Sequence, residues 1–186
     1  MECRVIDKEH SKDINLKNDP FSLYGKVIPT YSNGQWNYSI WLFSENEVVE
    51  MCFPDENYDY DELAENHVFI GAYDSERCVG LAVLADDMFQ YMYLDDLKVS
   101  RAYRKQGVGK ALVEKAMEIA HQRNYRGIYA IGQDNNVSAC KFYLKAGFEI
   151  GGFDNHVYRG TSQEHKANII FYLDRQPSIY SFGKRL

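Results

Sequence analysis

The sequence predicts an α/β protein in which one mixed β-sheet carries helices on its faces. A strand-like segment at residues 91–99 is followed by a glycine-bearing turn and by helically spaced apolar residues at 110–123. A second unit places a strand at 127–131 before a helix at 137–145. Upstream, residues 68–84 are typical of a hairpin. A chain of 186 residues can bury the core that such a sheet needs, so we expect a single domain.

Turn residues and apolar alternation locate the remaining elements. Asn33-Gly34 is a strong turn signal directly before a strand at 36–43, and residues 74–77 are expected to form the turn of the hairpin. We expect residues 1–175 to form the domain and residues 176–186 to be a loose tail. The predicted strands are 4–6, 36–43, 68–73, 79–84, 91–99, 127–131, 148–158 and 168–173, with a further short helix at 13–18.

Composition and charge argue against several classes of function. Hydrophobic residues make up 45% of the chain and charged residues 26%, as in soluble globular proteins. No apolar run approaches the ~20 residues of a membrane helix, and the charged N-terminus does not resemble a signal peptide, so we expect a cytoplasmic protein without a membrane partner. The net charge of −6 argues against a general nucleic-acid partner.

The cysteines and histidines lack the spacing of a metal site. No two cysteines are separated by two residues, and no histidine lies near a cysteine at ligand spacing. Reduced cytosolic thiols are therefore the better interpretation, and we expect no metal. The residues concerned are Cys3, Cys52, Cys78, Cys140, His10, His67, His121, His156 and His165.

Acidic residues and tyrosines are both unevenly used. Between Asp55 and Glu65 lie six carboxylates and no Lys or Arg. This segment is either a solvated acidic loop or a source of negative potential that draws a cationic substrate toward a cleft. The fifteen tyrosines exceed what a core requires and suit a sheet surface, an amphipathic pocket or an interface, including that of a homodimer.

The turn after strand 91–99 has the residues of a phosphate site. Glycines allow several backbone N–H groups to point in one direction, and the N-terminus of the following helix adds positive potential. The pattern R-x-x-G-x-G also occurs in ordinary tight turns, so alone it leaves both interpretations open. The turn has the sequence Arg104-Lys105-Gln106-Gly107-Val108-Gly109-Lys110.

The helix at 137–145 has recognisable ends. Asn136 can accept a backbone N–H bond at its start, and Gly147 can end it in the left-handed conformation. Ala139, Phe142 and Tyr143 fall on one face. The helix is therefore expected to present a tyrosine phenol.

Together these two motifs resemble those of the GCN5-related N-acetyltransferases. The pattern N-x-x-A-x-x-F-Y-x-x-x-G-F matches the fourth-helix motif of that superfamily, and the strand, glycine turn and helix precede it in the expected order. The resemblance covers residues 68–173. It implies a mostly antiparallel central sheet flanked by helices, with splayed strands that form the cleft for acetyl-CoA. It also implies an acetyl-CoA-dependent N-acetyltransferase with acetyl-CoA as co-substrate.

The resemblance further implies roles for individual residues. Leu97 and Val99 would hydrogen-bond the pantetheine arm, and Asn136 would contact the cofactor from the opposite side. Tyr143 would lie near the sulfur and protonate the departing thiolate, although a packed ring with a solvated hydroxyl stays open. The residues implied to bind the pyrophosphate are Arg104, Lys105, Gln106, Gly107, Val108, Gly109 and Lys110.

Acyl transfer needs a free amine, so the ammonium of the acceptor must first lose a proton. Asp95 and Asp96 lie on the strand that lines the family's acceptor cleft. Strand alternation is expected to place them on opposite faces. The superfamily pattern favours Asp95 as the residue that faces the cleft, with Asp96 kept as an alternative. Either could act as base or only bind the acceptor cation.

Residues outside the cofactor motifs resemble the streptothricin acetyltransferases. The resemblance rests on residues 20–31, on Trp36 and on residues 133–158, and covers the chain from 20 to 173. It implies acetylation of the β-lysine amine of streptothricin, a cationic antibiotic, and resistance to it. Two other hypotheses stay open: acetylation of a polyamine, small amine or protein N-terminus, and a non-catalytic acyl-CoA-binding module of the same fold.

Overall fold

The computed structural model describes residues 1–87 and 89–174, so the predicted tail at 176–186 lies outside the described residues. The strands are β1 (Glu2–Val5), β2 (Phe21–Leu23), β3 (Gly25–Ser32), β4 (Gln35–Leu42), β5 (Val49–Met51), β6 (His67–Asp74), β7 (Arg77–Ala85), β8 (Tyr91–Val99), β9 (Gly127–Gln133), β10 (Glu149–Asp154) and β11 (Asn168–Asp174). The α-helices are α1 (Tyr60–Leu63), α2 (Val108–Gln122) and α3 (Val137–Lys145). Shorter 3-10 helices lie at Lys8–Asn15, Glu45–Glu47 and Arg101–Tyr103.

Within the described part of the chain, seven strands form one sheet in the order β1-β6-β7-β8-β9-β11-β10. Every neighbouring pair is antiparallel except β8 and β9, which are parallel. The strands β2 and β5 pair separately, as do β3 and β4. This arrangement confirms the predicted α/β fold with a mixed, mostly antiparallel sheet flanked by helices.

The core lies on both faces of this sheet. The apolar side of α2 packs with α3 against one face, where residues such as Leu112 and Ile128 are fully buried. On the other face Ile14, from the 3-10 helix at Lys8–Asn15, joins Phe69 and Leu81 in a second buried cluster. Burial of apolar surface contributes about 25 cal/mol per Å², so these two layers are the main source of stability.

A split opens between the parallel strands β8 and β9. They pair only from Tyr91 to Leu94 and from Gly127 to Ala130. Beyond these residues β8 stays paired with β7 as far as Val99, while β9 stays paired with β11. We call the opening between residues 95–99 of β8 and 131–133 of β9 the split. It is the cleft that the sequence resemblance led us to expect.

A β-bulge in β8 corrects the predicted orientation of the two aspartates. Leu84 pairs with Leu94, whereas the preceding Val83 pairs with Asp96, so Asp95 is an extra residue in β8. Leu94 and Leu97 both pack into the core beside α2 and α3. The two residues between them therefore both point to the opposite face. The expectation that alternation separates Asp95 and Asp96 is wrong because of this bulge.

Several element boundaries differ from the sequence prediction. The hairpin turn is confirmed, with Ser75 at φ +54°. The predicted helix at 13–18 is wrong, since a 3-10 helix ends at Asn15 and the N–H of Asn18 donates to Asp55 instead. The strand predicted to reach Tyr158 ends at Asp154, whose carboxylate accepts the backbone N–H groups that follow and turns the chain.

The Asn33-Gly34 turn is confirmed, but the strand before it was missed. Both residues have positive φ, as a tight two-residue hairpin turn requires. The strand β3 then pairs with β4 along eight residues, including Pro29 opposite Tyr38. Proline weakens the pattern that predicts a strand, and Pro29 lies inside β3, which is why no strand was predicted at these residues.

Candidate active site

The glycine turn ends in a helix N-terminus that faces open space. Gly107 caps α2 with φ +86°, and no atom lies within 4 Å of the position that a Cβ would take there. The first bond into the helix runs from the N–H of Ala111 to the carbonyl of Gly107 at 3.0 Å. The N–H groups of Val108, Gly109 and Lys110 precede it and have no partner inside the helix. These backbone donors fit a pyrophosphate.

Gly109 has a different role from Gly107. A Cβ at Gly109 would lie 3.0 Å from Cε2 of Phe142, so a larger residue would require the Phe142 ring to shift. Packing of α2 against α3 therefore favours glycine at this second position of the turn. It connects the cofactor turn to the helix that carries Tyr143.

The side chain of Arg104 is occupied by the protein itself. Its guanidinium donates hydrogen bonds to the carbonyls of Val99 at 3.0 Å, Pro20 at 2.8 Å and Asp19 at 3.1 Å. Arg104 thus fastens the segment before β2 to the end of β8. The predicted contact of this side chain with phosphate stays a prediction, while three of its five donors already stabilise the fold.

The other polar side chains of the turn are more open. Lys105 is exposed, and Lys110 lies 3.1 Å from Glu114 in an exposed ion pair. Gln106 donates its side-chain amide to the carbonyl of Ala102. The two lysines therefore supply positive charge beside the backbone donors.

The backbone of β8 beyond Leu94 borders the split. Leu97 pairs with Ala82 and Val99 with Gly80, both on the side of β7. Their side chains pack against the core, and no strand of the described residues pairs with the edge that faces β9. This edge fits an extended ligand segment such as the predicted pantetheine arm.

The helix α3 begins and ends as the sequence predicted. The side chain of Asn136 accepts the N–H of Ala139 at 3.1 Å, and Gly147 adopts φ +97°. Tyr143 is 9% exposed and packs its ring against Phe148 and Phe171 at centroid distances of 5.3 and 5.2 Å. Burial, and then the charge of nearby Asp96, raises the pKa of the Tyr143 phenol well above its usual range.

Two further tyrosines stand beside the aspartates. Burial raises the pKa of Tyr58, and the charges of Asp96 and Asp95 raise it further. The pKa of Tyr93 is raised to about 12 by burial and by Asp95. Both phenols therefore lie on the face to which the bulge turns the two carboxylates. We call this surface the acceptor face: it consists of Glu56, Tyr58, Tyr93, Asp95, Asp96 and Lys98.

A buried lysine joins two carboxylates within the acceptor face. The ammonium of Lys98 hydrogen-bonds Oε2 of Glu56 and lies 2.9 Å from Oδ2 of Asp96. The Lys98 side chain is only 9% exposed. Burial lowers the pKa of Lys98, but Asp96 and Glu56 outweigh it, so the ammonium stays charged. Burial raises the pKa of Asp96, although Lys98 acts in the opposite direction.

The acidic segment is a fixed loop with several paired carboxylates. Asp55 accepts the N–H of Asn18, Asp59 accepts two N–H groups at the start of α1, and Asp61 pairs with Lys8. Only Glu56 reaches Lys98. Most of the segment is therefore structural, while one carboxylate reaches the acceptor face.

Sequence reasoning missed Glu56, Tyr58 and Lys98 as members of this surface. The sequence feature that could have indicated this surface is Lys98 itself. It lies between Leu97 and Val99 in a strand, so its side chain points to the face opposite theirs. A lysine at such a position requires a nearby carboxylate, and Glu56 supplies one from a segment 42 residues away in sequence.

Residues 1–87 and 89–174 hold no group of three His, Cys, Asp or Glu side chains that could bind a metal. Within the same residues, no helix is long and apolar enough to cross a membrane.

Comparison with known proteins identifies the family. Residues 35–148 match the model of the acetyltransferase (GNAT) family. Streptothricin acetyltransferase A of Bacillus subtilis (strain 168) is 34% identical over 161 residues, which cover 87% of this chain and 92% of that protein.

Solved structures agree with this assignment. A protein from Bacillus anthracis str. Ames, assigned as a streptothricin acetyltransferase and solved with acetyl coenzyme A, is 30% identical and superposes with a TM-score of 0.83 over 94% of this chain and 99% of that one. A nourseothricin acetyltransferase, 19% identical, shares the fold with a TM-score of 0.75 over 93% of this chain and 97% of that one. The chain therefore belongs to the acetyltransferase (GNAT) family and is an N-acetyltransferase that uses acetyl-CoA as co-substrate.

Proposed function

We propose that this enzyme transfers the acetyl group of acetyl-CoA to the β-lysine amine of streptothricin and thereby confers resistance to that antibiotic. The observation that carries the proposal is the excess of carboxylates on the acceptor face, where Glu56, Asp95 and Asp96 outnumber the ammonium of Lys98, which pairs with Glu56 and Asp96. Such a surface favours a cationic acceptor over a neutral or anionic one. The similarity to two streptothricin acetyltransferases along most of the chain supports streptothricin as that acceptor.

On the cofactor side, the backbone supplies most of the binding. The N–H groups of Val108, Gly109 and Lys110 bind the pyrophosphate, and Lys105 adds positive charge. The free edge of β8 at Leu97 and Val99 holds the pantetheine arm in the split. Bound acetyl-CoA supplies a thioester, whose carbonyl carbon the acceptor amine attacks.

On the acceptor side, a carboxylate removes the proton that blocks the amine. Asp95 is exposed at the bulge and binds the ammonium of the acceptor, while Asp96 lies deeper and accepts its proton. Its raised pKa suits this role, because a carboxylate of higher proton affinity is a better base.

Tyr143 acts on the departing sulfur. A tyrosine phenol is protonated at neutral pH, and burial keeps that of Tyr143 so by raising its pKa further, so the O–H can donate a hydrogen bond to the sulfur as the carbon–sulfur bond breaks. The ring is held by Phe148 and Phe171, which fixes the direction of the hydroxyl. Asn136 uses its side-chain oxygen to cap α3, which leaves its amide N–H groups for the cofactor.

An acetyl-CoA consumption assay with streptothricin, spermidine and a peptide panel tests the proposal. We expect streptothricin to be consumed with the highest kcat/KM. Robust turnover of spermidine or a peptide beside no turnover of streptothricin would overturn it. Asp96→Asn should lower kcat/KM for streptothricin and leave the KM for acetyl-CoA unchanged.

We further propose that the enzyme works in the cytoplasm and forms a homodimer. The free thiols of Cys3 and Cys52 support this location, because the cytoplasm keeps thiols reduced. For the dimer, the β3–β4 hairpin exposes several large apolar side chains that a second copy could cover: Ile28, Tyr31, Tyr38, Trp41 and Leu42. Sedimentation analysis of the wild type and of Trp41→Ser tests this, and a monomeric wild type would contradict it.

A further inference from the structure

We propose that Glu56 is a positioning residue for the acceptor reaction: it shares the ammonium of Lys98 with Asp96, so that Asp96 keeps the negative charge and proton affinity with which it holds and deprotonates the acceptor ammonium. The inference rests on the proposed function only in that the acceptor is an amine. It assigns a role to the one carboxylate of the acidic segment that reaches the acceptor face.

The geometry around Lys98 carries this inference. The ammonium hydrogen-bonds Oε2 of Glu56 and lies 2.9 Å from Oδ2 of Asp96, so the two carboxylates share one cation. The phenol of Tyr58 also hydrogen-bonds Asp96. An ionised carboxylate has about four acceptor positions, so Asp96 can accept a further hydrogen bond from the ammonium of the acceptor.

A separate segment holds Glu56 in place. The side-chain amide of Asn18 donates to both carboxylate oxygens, at 3.2 Å to Oε1 and 3.0 Å to Oε2. The same amide donates to the carbonyl of Pro54, and the backbone N–H of Asn18 donates to Asp55. Glu56 is therefore fixed from two sides, by Asn18 and by Lys98.

Charge explains what Glu56 contributes. With Glu56 ionised, the trio of Glu56, Lys98 and Asp96 carries one net negative charge. This charge attracts the ammonium of the acceptor and raises the proton affinity of Asp96. Without that charge, Lys98 would serve Asp96 alone, and the trio would be neutral. The pKa directions agree, because Glu56 is among the groups that raise the pKa of Asp96, after burial.

Other groups that face Asp96 contribute in the same or the opposite sense. The negative charge of Asp95 also raises the pKa of Asp96, and the positive charge of Lys98 lowers it. Three phenols also face Asp96 and stay neutral at pH 7, so they add no charge to this balance, although Tyr58 also hydrogen-bonds Asp96. They are Tyr58, Tyr93 and Tyr143.

The first test needs no turnover. The carboxyl carbon of Asp96, assigned with Asp96→Asn, is titrated by NMR in the wild type, in Glu56→Gln and in Asp61→Asn. Asp61→Asn removes the same charge from the same loop at an exposed site, and is the matched control. We expect the pKa of Asp96 to fall by about one unit in Glu56→Gln, since one charge is lost across a shared lysine. An unchanged or raised pKa would overturn the inference.

The second test uses kinetics. In Glu56→Gln the acid limb of kcat/KM for the amine should move to lower pH and the KM for the amine should rise about tenfold, with the KM for acetyl-CoA unchanged. Glu56→Asp should restore part of the loss. Should Glu56→Gln not fold, Asn18→Ala is used instead, since it frees Glu56 without removing a charge and should shift the titration in the same direction. A wild-type enzyme inactive on streptothricin contradicts the proposed function alone, whereas an unaltered Asp96 titration contradicts the role of Glu56 alone.

Discussion

The two sides of the split are built in different ways. The proposed cofactor side uses neighbours in sequence, residues 104–110, and the donors proposed for it are backbone N–H groups that follow the left-handed Gly107. The proposed acceptor side uses side chains from β8 and from the loop at 55–59, which are distant in sequence. A site made of backbone is encoded by a short local pattern, because the glycines themselves produce the geometry. A site made of side chains depends on long-range packing that no short pattern contains.

The largest expected effect is on the acceptor side, in Lys98→Met. This change leaves the carboxylates of Glu56 and Asp96 facing each other without their shared cation, and breaking a buried ion pair costs about 3 kcal/mol of unfolding free energy or more. Urea unfolding at pH 7 and pH 5 measures it. The two carboxylates gain proton affinity in the variant, so its deficit should shrink as the pH falls.

Lys8→Met is the matched control for this comparison, because Lys8 forms an exposed pair with Asp61 and should contribute little. An equal loss in both lysine variants, or a Lys98→Met deficit that does not depend on pH, would contradict the shared-cation arrangement.

Tyr143→Phe tests the phenol that we propose acts on the sulfur, where the cofactor side and the acceptor side meet. Loss of the hydroxyl should lower kcat roughly 100-fold and leave the KM for acetyl-CoA unchanged, since the ring still packs against Phe148 and Phe171. Steady-state kinetics with both substrates varied provides the measurement. Tyr91→Phe, whose hydroxyl bonds Asp174 away from the split, should keep wild-type kcat. Unchanged kcat in Tyr143→Phe would remove this phenol from the reaction.

Arg104→Met distinguishes a structural role of this arginine from a role in binding phosphate. Loss of three hydrogen bonds from its guanidinium should lower the unfolding free energy by about 2 kcal/mol and change the KM for acetyl-CoA little. Arg101→Met, whose exposed side chain lies 3.6 Å from Glu50, should leave stability unchanged. A raised KM with unaltered stability would instead assign Arg104 to the pyrophosphate.

The smallest expected effect comes from Gly107→Ala. A Cβ at φ +86° costs about 1–2 kcal/mol, and relaxation of the turn should raise the KM for acetyl-CoA about tenfold. Gly34→Ala provides a control with the same strain, because Gly34 has φ +78° and open space around it in the β3–β4 turn. It should lose similar stability and keep the wild-type KM. Equal KM values in the two variants would contradict a phosphate site at Gly107.

The same contrast explains what the sequence could predict. The glycine turn, the Asn136 cap and the Gly147 end of α3 all follow from residues a few positions apart, and the structure has each of them. The bulge at Asp95 was not predicted because it arises from the pairing of β8 with β7, a contact between strands. That single residue reverses the expected separation of Asp95 and Asp96.

The remaining differences also come from long-range contacts. Nothing in the local sequence of residues 55–65 distinguishes Glu56 from its neighbours, and only the fold brings it to Lys98. The motif predicts Arg104 as a phosphate ligand, which stays a prediction, but its hydrogen bonds to the carbonyls of Asp19 and Pro20, far away in sequence, could not be predicted from that motif.

The most direct test of the central claim is tandem mass spectrometry of streptothricin after incubation with the enzyme and acetyl-CoA. We predict a product that carries one acetyl group on the amine of its β-lysine moiety, formed only when both the enzyme and acetyl-CoA are present. Unmodified streptothricin, in the presence of enzyme that acetylates spermidine or a peptide, would contradict the claim.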